Sequence, residues 1–169
     1  MEKSKIIFLD IDGVLNSSES FKIMAKENAD TDLTFTDIPH PMHLINLQEI
    51  IKLTGALCVI SSTWRKGCSR SSMFMRLFQV LGFRIPVIGV TPTLGVNRGR
   101  EIDDWLKTHN KNFDDYGDYG SSWNKPVRKF IILDDDRDME PHMDRLVKTD
   151  NRTGLLAKHI KPAVELLND

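Results

Sequence analysis

Two aspartates one residue apart close an apolar run in FLDIDGVLN: Asp10 and Asp12, followed at once by Gly13. Carboxylates so placed could attack an electrophile, move a proton or hold a cation. Side chains alternate along a strand, so Asp10 and Asp12 share a face. The glycine lets the chain turn, so that both acids stay at the strand's carboxyl end, and in open parallel sheets ligands bind at that edge. A solvated pair of acids in a turn is the plain alternative. A calcium loop is excluded, because an EF-hand beginning at Asp10 needs an oxygen ligand at its fifth position and a glutamate at its twelfth, where this chain has Val14 and Phe21.

A second acidic cluster closes another apolar run, FIILDDDRDME, with Asp134, Asp135, Asp136 and Asp138 just past Leu133. Two carboxylates about 4 Å apart repel by roughly 4 kcal/mol at an effective dielectric near 20, so acids gathered at one sheet edge call for a cation or for protonation. Oxygen-only ligands point to Mg2+, which keeps several waters and takes one or two carboxylates together with substrate phosphate. An acidic turn capping a short helix is the competing reading. Between the clusters, LCVISSTWRKG sets Ser61, Ser62 and Thr63 at the end of a third apolar run, where hydroxyls and backbone amides can bind phosphate oxygens or cap a helix. Arg98, in NRGREI, can offset charge on a phosphoryl group. Trp64, Arg65, Lys66 and Arg70 follow the serines, and Tyr116, Tyr119 and Trp123 lie further on. Such residues could track a nucleic-acid backbone and stack on bases, although basic residues at a helix start and aromatics in a loop more often serve the surface and packing.

The elements that must position these groups are short Val- and Ile-rich runs alternating with amphipathic stretches, the pattern of an α/β fold with buried parallel strands. Strands are predicted at Lys5 to Leu9, Ala56 to Ile60, Pro86 to Val90, Lys129 to Leu133 and Arg145 to Thr149. Leu44, Leu47, Ile50 and Ile51 share one helical face closed by Gly55, and Met73, Phe74, Leu77, Phe78 and Leu81 share another closed by Gly82. A third helix starts near Arg100 with Ile102, Trp105 and Leu106, and Ile160, Val164 and Leu167 mark a terminal one. Two segments break the alternation: the polar stretch 17–41, read as a small cap insertion, and 108–126, read as a long loop.

A length of 169 residues suits one domain spanning 1–169, and a net charge of -1 offers no global attraction to a polyanion or a membrane surface. Two cysteines without metal-type spacing suit reduced thiols. The opening MEKSKIIFLD lacks a signal peptide's apolar segment and cleavage site. The expectation is a soluble cytoplasmic protein with no membrane partner.

Acidic pair, hydroxyls, cation and second acidic cluster, in that order and each near a strand end or helix start, resemble the haloacid dehalogenase-like (HAD) phosphohydrolases over nearly the whole chain. DIDGV is similar to the first family motif, ISS to the second, RG to the third with arginine in place of the commoner lysine, and LDDDRD to the fourth. The resemblance implies a three-layer Rossmann-like fold with a parallel sheet of about five strands in the order 3-2-1-4-5 and a minimal cap. It implies Asp10 as nucleophile and metal ligand, and Asp12 as acid/base with its carbonyl also on Mg2+. Ser61 or Ser62 would hold phosphate and Arg98 would steady nucleophile and phosphate. Asp135 would ligate the metal, with support from Asp134 or Asp138. The implied activity is Mg2+-dependent hydrolysis of a phosphomonoester through an aspartyl-phosphate. The run SSTWR with LDDDRD is similar to a small group associated with nucleic-acid end repair, which implies a nucleic-acid end phosphate as substrate, with Trp64 and Arg65 as contacts. A nucleotide monophosphatase is the nearest enzymatic rival. Phosphoryl transfer to an acceptor other than water is another, and a non-catalytic module that binds Mg2+ or phosphate stands apart from both.

Overall fold

The computed structural model describes residues 4–27, 38–66, 71–116 and 126–169, with 111–116 as backbone only. Five parallel strands form one sheet in the order β3-β2-β1-β4-β5: β1 Ser4–Leu9, β2 Leu57–Ile60, β3 Val87–Val90, β4 Val127–Asp134 and β5 Leu146–Lys148. The helices are α1 Ser18–Glu27, α2 Pro41–Thr54, α3 Ser71–Val80, α4 Arg98–Tyr116 and α5 Ile160–Asn168. This is the expected three-layer Rossmann-like arrangement.

The central strand explains the layers. Ile6, Ile7, Phe8 and Leu9 of β1 are all fully buried, so the sheet must be covered on both faces. Ile7 and Leu9 face a core completed by Leu44, Leu47 and Ile50 of α2, Phe74 and Phe78 of α3, and Ala163 and Leu167 of α5. Ile6 and Phe8 face the other way, onto Ile102 with Trp105 and Leu106 of α4, and the Phe8 and Trp105 rings meet edge to face at 5.4 Å. Gly55 ends α2 in the left-handed conformation, with its N–H bonded to the Ile51 carbonyl, as its placement predicts.

Connections to β2 and β3 run out on one side of β1, whereas α4 carries the chain back across the sheet to β4 on the other. The strand order therefore reverses between β1 and β4, which opens a crevice at their carboxyl ends. Both acidic clusters follow these two strands.

One expectation changes. The stretch 108–116, read as loop, continues α4 to Tyr116. Its Asn, Asp and His residues are weak helix formers rather than breakers, and no glycine or proline intervenes before Gly117, so a helix already nucleated at Arg98 propagates through them. The stretch 17–41 contains a helix, α1, in its described part. Residues 28–37 and 117–125, with Cys68, Arg70, Tyr119, Trp123 and the Tyr116 side chain, lie outside the description. No described helix is long and apolar enough to cross a membrane.

Candidate active site

At the end of β1 the Asp10 amide still bonds to the Leu133 carbonyl of β4 at 3.0 Å, and then the chain turns. The Ile11 carbonyl receives the amides of Val14, Leu15 and Asn16 at 3.2, 2.7 and 2.9 Å, which folds the segment into a tight loop. Gly13 makes this turn with φ of 74°, and a Cβ there would collide with the carboxylate of Asp135. The two acidic turns, remote in sequence, are thus in contact.

The far side of the Asp10 turn is held by the segment after β5. Thr149 Oγ1 donates to the Gly13 carbonyl at 2.7 Å, and the Leu155 amide to the Val14 carbonyl at 2.8 Å. The amides of Ser18 and Glu19 reach the carbonyls of Asn151 and Arg152 at 3.1 and 3.0 Å. Buried His43 ties the same segments: Nδ1 donates to the Leu155 carbonyl at 3.0 Å and Nε2 accepts from Ser17 Oγ at 3.2 Å. Burial lowers its affinity for a further proton, which suits this neutral tautomer.

Oxygens of Asp10, Asp134 and Asp135 lie within 4.8 Å of one another. Asp134 is 1% exposed; its Oδ1 accepts the Asp136 amide at 2.9 Å, while its Oδ2 is buried without a hydrogen-bond partner. Arg98 is the neighbouring cation, with Nη1 at 3.9 Å from Asp10 Oδ1 and 3.8 Å from Asp134 Oδ2, too far for hydrogen bonds. Burial pushes Asp10 up to about 6 against the favourable pull of Ser62 and Arg98. Burial and the Asp10 charge push Asp134 up to about 7, and burial also raises Asp135. A buried acid with an orphaned oxygen, beside two further carboxylates and one guanidinium at arm's length, fits a bound cation.

These groups face a cleft of about 320 Å³ whose lining includes Asp10, Asp12, Asn16, Thr63, Arg98 and Asp135, together with Ser18, Phe21 and Asn151. The Asp12 carboxylate is exposed there and held from both sides, by Asn16 Nδ2 on Oδ1 at 3.2 Å and by Trp64 Nε1 on Oδ2 at 2.9 Å.

Of the paired serines, Ser62 lies near enough to the Asp10 carboxylate to favour its charged form, whereas Ser61 is turned toward Thr91, whose hydroxyl lies 3.5 Å away. Alternation at the end of β2 sends neighbouring hydroxyls in opposite directions. Within the second cluster Asp134 and Asp135 join Asp10, while Asp138 Oδ2 accepts the Arg98 amide at 3.1 Å and caps α4.

Arg65, expected to meet substrate, needs correcting: it is 5% exposed and paired with Glu101. Its Nη1 also donates to the Ser62 carbonyl at 2.6 Å. A guanidinium taken out of water needs such partners, and they turn it inward. Trp64 packs against the core and directs its N–H at Asp12. Sequence reasoning missed Asn16, Glu101, Thr149 and the outer lining at Phe21 and Asn151. Thr149 follows a strand end and was open to the rule that found the serines, but nothing local marks Glu101 as the partner of Arg65.

No curated protein and no solved structure matches the chain. Residues 6–160 match the family model described as the HAD domain in Swiss Army Knife RNA repair proteins. That span takes in both acidic clusters, the serines and Arg98, and the chain accordingly belongs to this RNA-repair-associated family of HAD domains.

Proposed function

We propose that the protein is a Mg2+-dependent phosphomonoester hydrolase that removes a terminal phosphate from a nucleic-acid end through an aspartyl-phosphate on Asp10. The observation that carries this reading is the convergence of Asp10, Asp134 and Asp135 in the β1/β4 crevice, with Arg98 alongside and Asp12 lining the same cleft. Asp10, Asp134 and Asp135 would hold the metal, with the Asp12 carbonyl as a further ligand. Bound there, Mg2+ supplies Lewis-acid stabilisation of charge on the phosphoryl oxygens.

Asp10 supplies the attacking oxygen. Ser62, beside Asp10, donates its single O–H to a phosphoryl oxygen, while Arg98 offsets charge on the transferring group. Asp12 carries a proton to the leaving alkoxide and, once ionised, takes one from the water that attacks the acyl phosphate and releases phosphate. An intact acid/base favours turnover over a binding role. The family's association with RNA repair favours a polymer end over a mononucleotide. Ser18 and Phe21 of α1 line the outer cleft, where the terminal nucleotide would sit.

Phosphate release should be measured from 3'- and 5'-phosphorylated oligonucleotides and from mononucleotides, with Mg2+ and with chelator, for the wild type and Asp10→Asn. The expected result is metal-dependent release that favours an oligonucleotide and is abolished by the substitution. Metal-independent turnover or an active Asp10→Asn protein refutes the mechanism, and a preference for mononucleotides refutes the polymer end.

A further inference from the structure

We infer that Trp64 is a positioning residue for the acid step: with Asn16, its indole N–H clamps Asp12 so that the Asp12 proton can leave only toward the cleft. The inference rests on the proposed role of Asp12 and deepens it. A tryptophan beside a nucleic-acid site invites a stacking role, yet Trp64 does not line the cleft, and its neighbour Thr63 does. Its ring packs against the core that includes Ile7 and Leu9 of β1, and its nitrogen lies 2.9 Å from Asp12 Oδ2.

The chemistry of the two clamps is unusual in being one-sided. An indole nitrogen only donates, and so does an amide nitrogen. Asn16 Nδ2 occupies one lone pair of Oδ1 and Trp64 Nε1 one lone pair of Oδ2. Neither donor can accept the acid proton in return, so that proton has to sit on a remaining lone pair of this exposed carboxyl. In the acid step the Asp12 O–H bond breaks and its electron pair stays on Asp12, which becomes the carboxylate. The P–O bond breaks at the same time, and its pair forms the new O–H bond of the leaving alcohol. Both clamps donate to the carboxylate produced as well as to the acid, so they persist through the transfer and fix its direction.

Trp64 is in turn held by the short helical turn Thr63–Lys66. Its amide donates to Ser62 Oγ at 3.4 Å, and the Ser62 carbonyl receives the Arg65 amide at 3.2 Å and its guanidinium at 2.6 Å. The buried Arg65–Glu101 pair thereby anchors the turn that aims the indole.

Leaving groups separate this role from a structural one. An alkyl phosphate, such as an oligonucleotide end, needs a proton on its departing oxygen, whereas 4-nitrophenyl phosphate does not. kcat/KM reports the first irreversible step, transfer to Asp10, and so isolates that need. For Trp64→Phe, which keeps a ring and loses the N–H, kcat/KM on the oligonucleotide should fall by about 10- to 100-fold. On 4-nitrophenyl phosphate it should stay within about twofold, and binding of the dephosphorylated oligonucleotide should not change. In an Asp12→Asn background the same substitution should add nothing on the oligonucleotide, since Trp64 acts through Asp12. Equal losses on both substrates, weakened oligonucleotide binding, or an undiminished loss in the Asp12→Asn background would each overturn the inference. If Trp64→Phe does not fold, Asn16→Ala, which removes the opposite donor, should give the same leaving-group split, and an equal loss on both substrates again overturns it. Wild type inactive toward every phosphomonoester would instead sink the proposed function and this inference with it.

Discussion

The first turn of α4 sends charges of opposite sign into two buried clusters, and the clusters are built on opposite terms. Glu101 meets Arg65, and both its oxygens are engaged: Oε2 by the guanidinium and Oε1 by the Leu94 amide at 2.8 Å. Arg98 meets Asp10 and Asp134 only at 3.9 and 3.8 Å, and both its Nη1 and Asp134 Oδ2 are left without partners. In the first cluster the opposite charges are in direct contact, with only Arg65 Nε left over, and the pair fastens the β2 turn to α4. In the second the opposite charges stand apart. A buried charge in direct contact with its counterion serves architecture, whereas one held just short of its partners has affinity left for a cation and a phosphoryl group.

The contrast breaks most sharply at Asp10. Asp10→Asn should abolish steady-state hydrolysis, by about 10⁴-fold or more. It should also stabilise the metal-free protein at pH 8 by about 1–3 kcal/mol, because it removes a charge that burial opposes. Kinetics and urea unfolding on one preparation would check both, and a variant that is inactive and less stable would contradict the reading.

Glu101→Ala should go the other way, costing about 3–5 kcal/mol by leaving the Arg65 charge buried and unpaired. Replacing both partners with apolar residues, Arg65→Met with Glu101→Leu, should cost much less. Urea melts would show whether the pair stabilises as a unit. A single variant as mild as the double one would place both clusters on the same footing.

A smaller effect comes from pH. Asp10 and Asp134 hold their protons more tightly in the fold than in the unfolded chain, at about 6 and 7 against 3.8. Their contribution to metal-free stability is therefore greatest below pH 3.8 and declines as pH rises through 6 to 7. Magnesium has to displace those protons, so its apparent affinity should rise by about tenfold per pH unit in the acidic part of that range and level off by pH 8. Thermal shift with Mg2+ at pH 5 and pH 8 tests this, and equal shifts would count against the acids as ligands.

The sheet was legible because it is written in contiguous residues: every predicted strand appears within a residue or two at its ends, and strand ends locate Asp10, Ser62 and Asp134. The reach of α4 beyond Thr108 was hidden because composition alone does not separate a weak helix continued from a strong start from a loop. The fate of Arg65 was hidden for a different reason. A basic residue after a strand reads as solvated until its partner is known, and that partner, Glu101, lies beyond a helix and a strand in the chain. Which of two adjacent serines faces the site likewise depends on the phase in which β2 ends, and a doublet of identical residues carries no trace of phase.

The bonds from Thr149 and Leu155 to the loop around Gly13, and from Asn151 and Arg152 to the start of α1, make the Asp10 turn depend on a segment far along the chain. Translation delivers Asp10 before β4, β5 and the segment that clasps its turn exist. The Asp10 turn is therefore left unclasped until that segment emerges, and on the proposed mechanism a product terminated before Thr149 would be chemically silent.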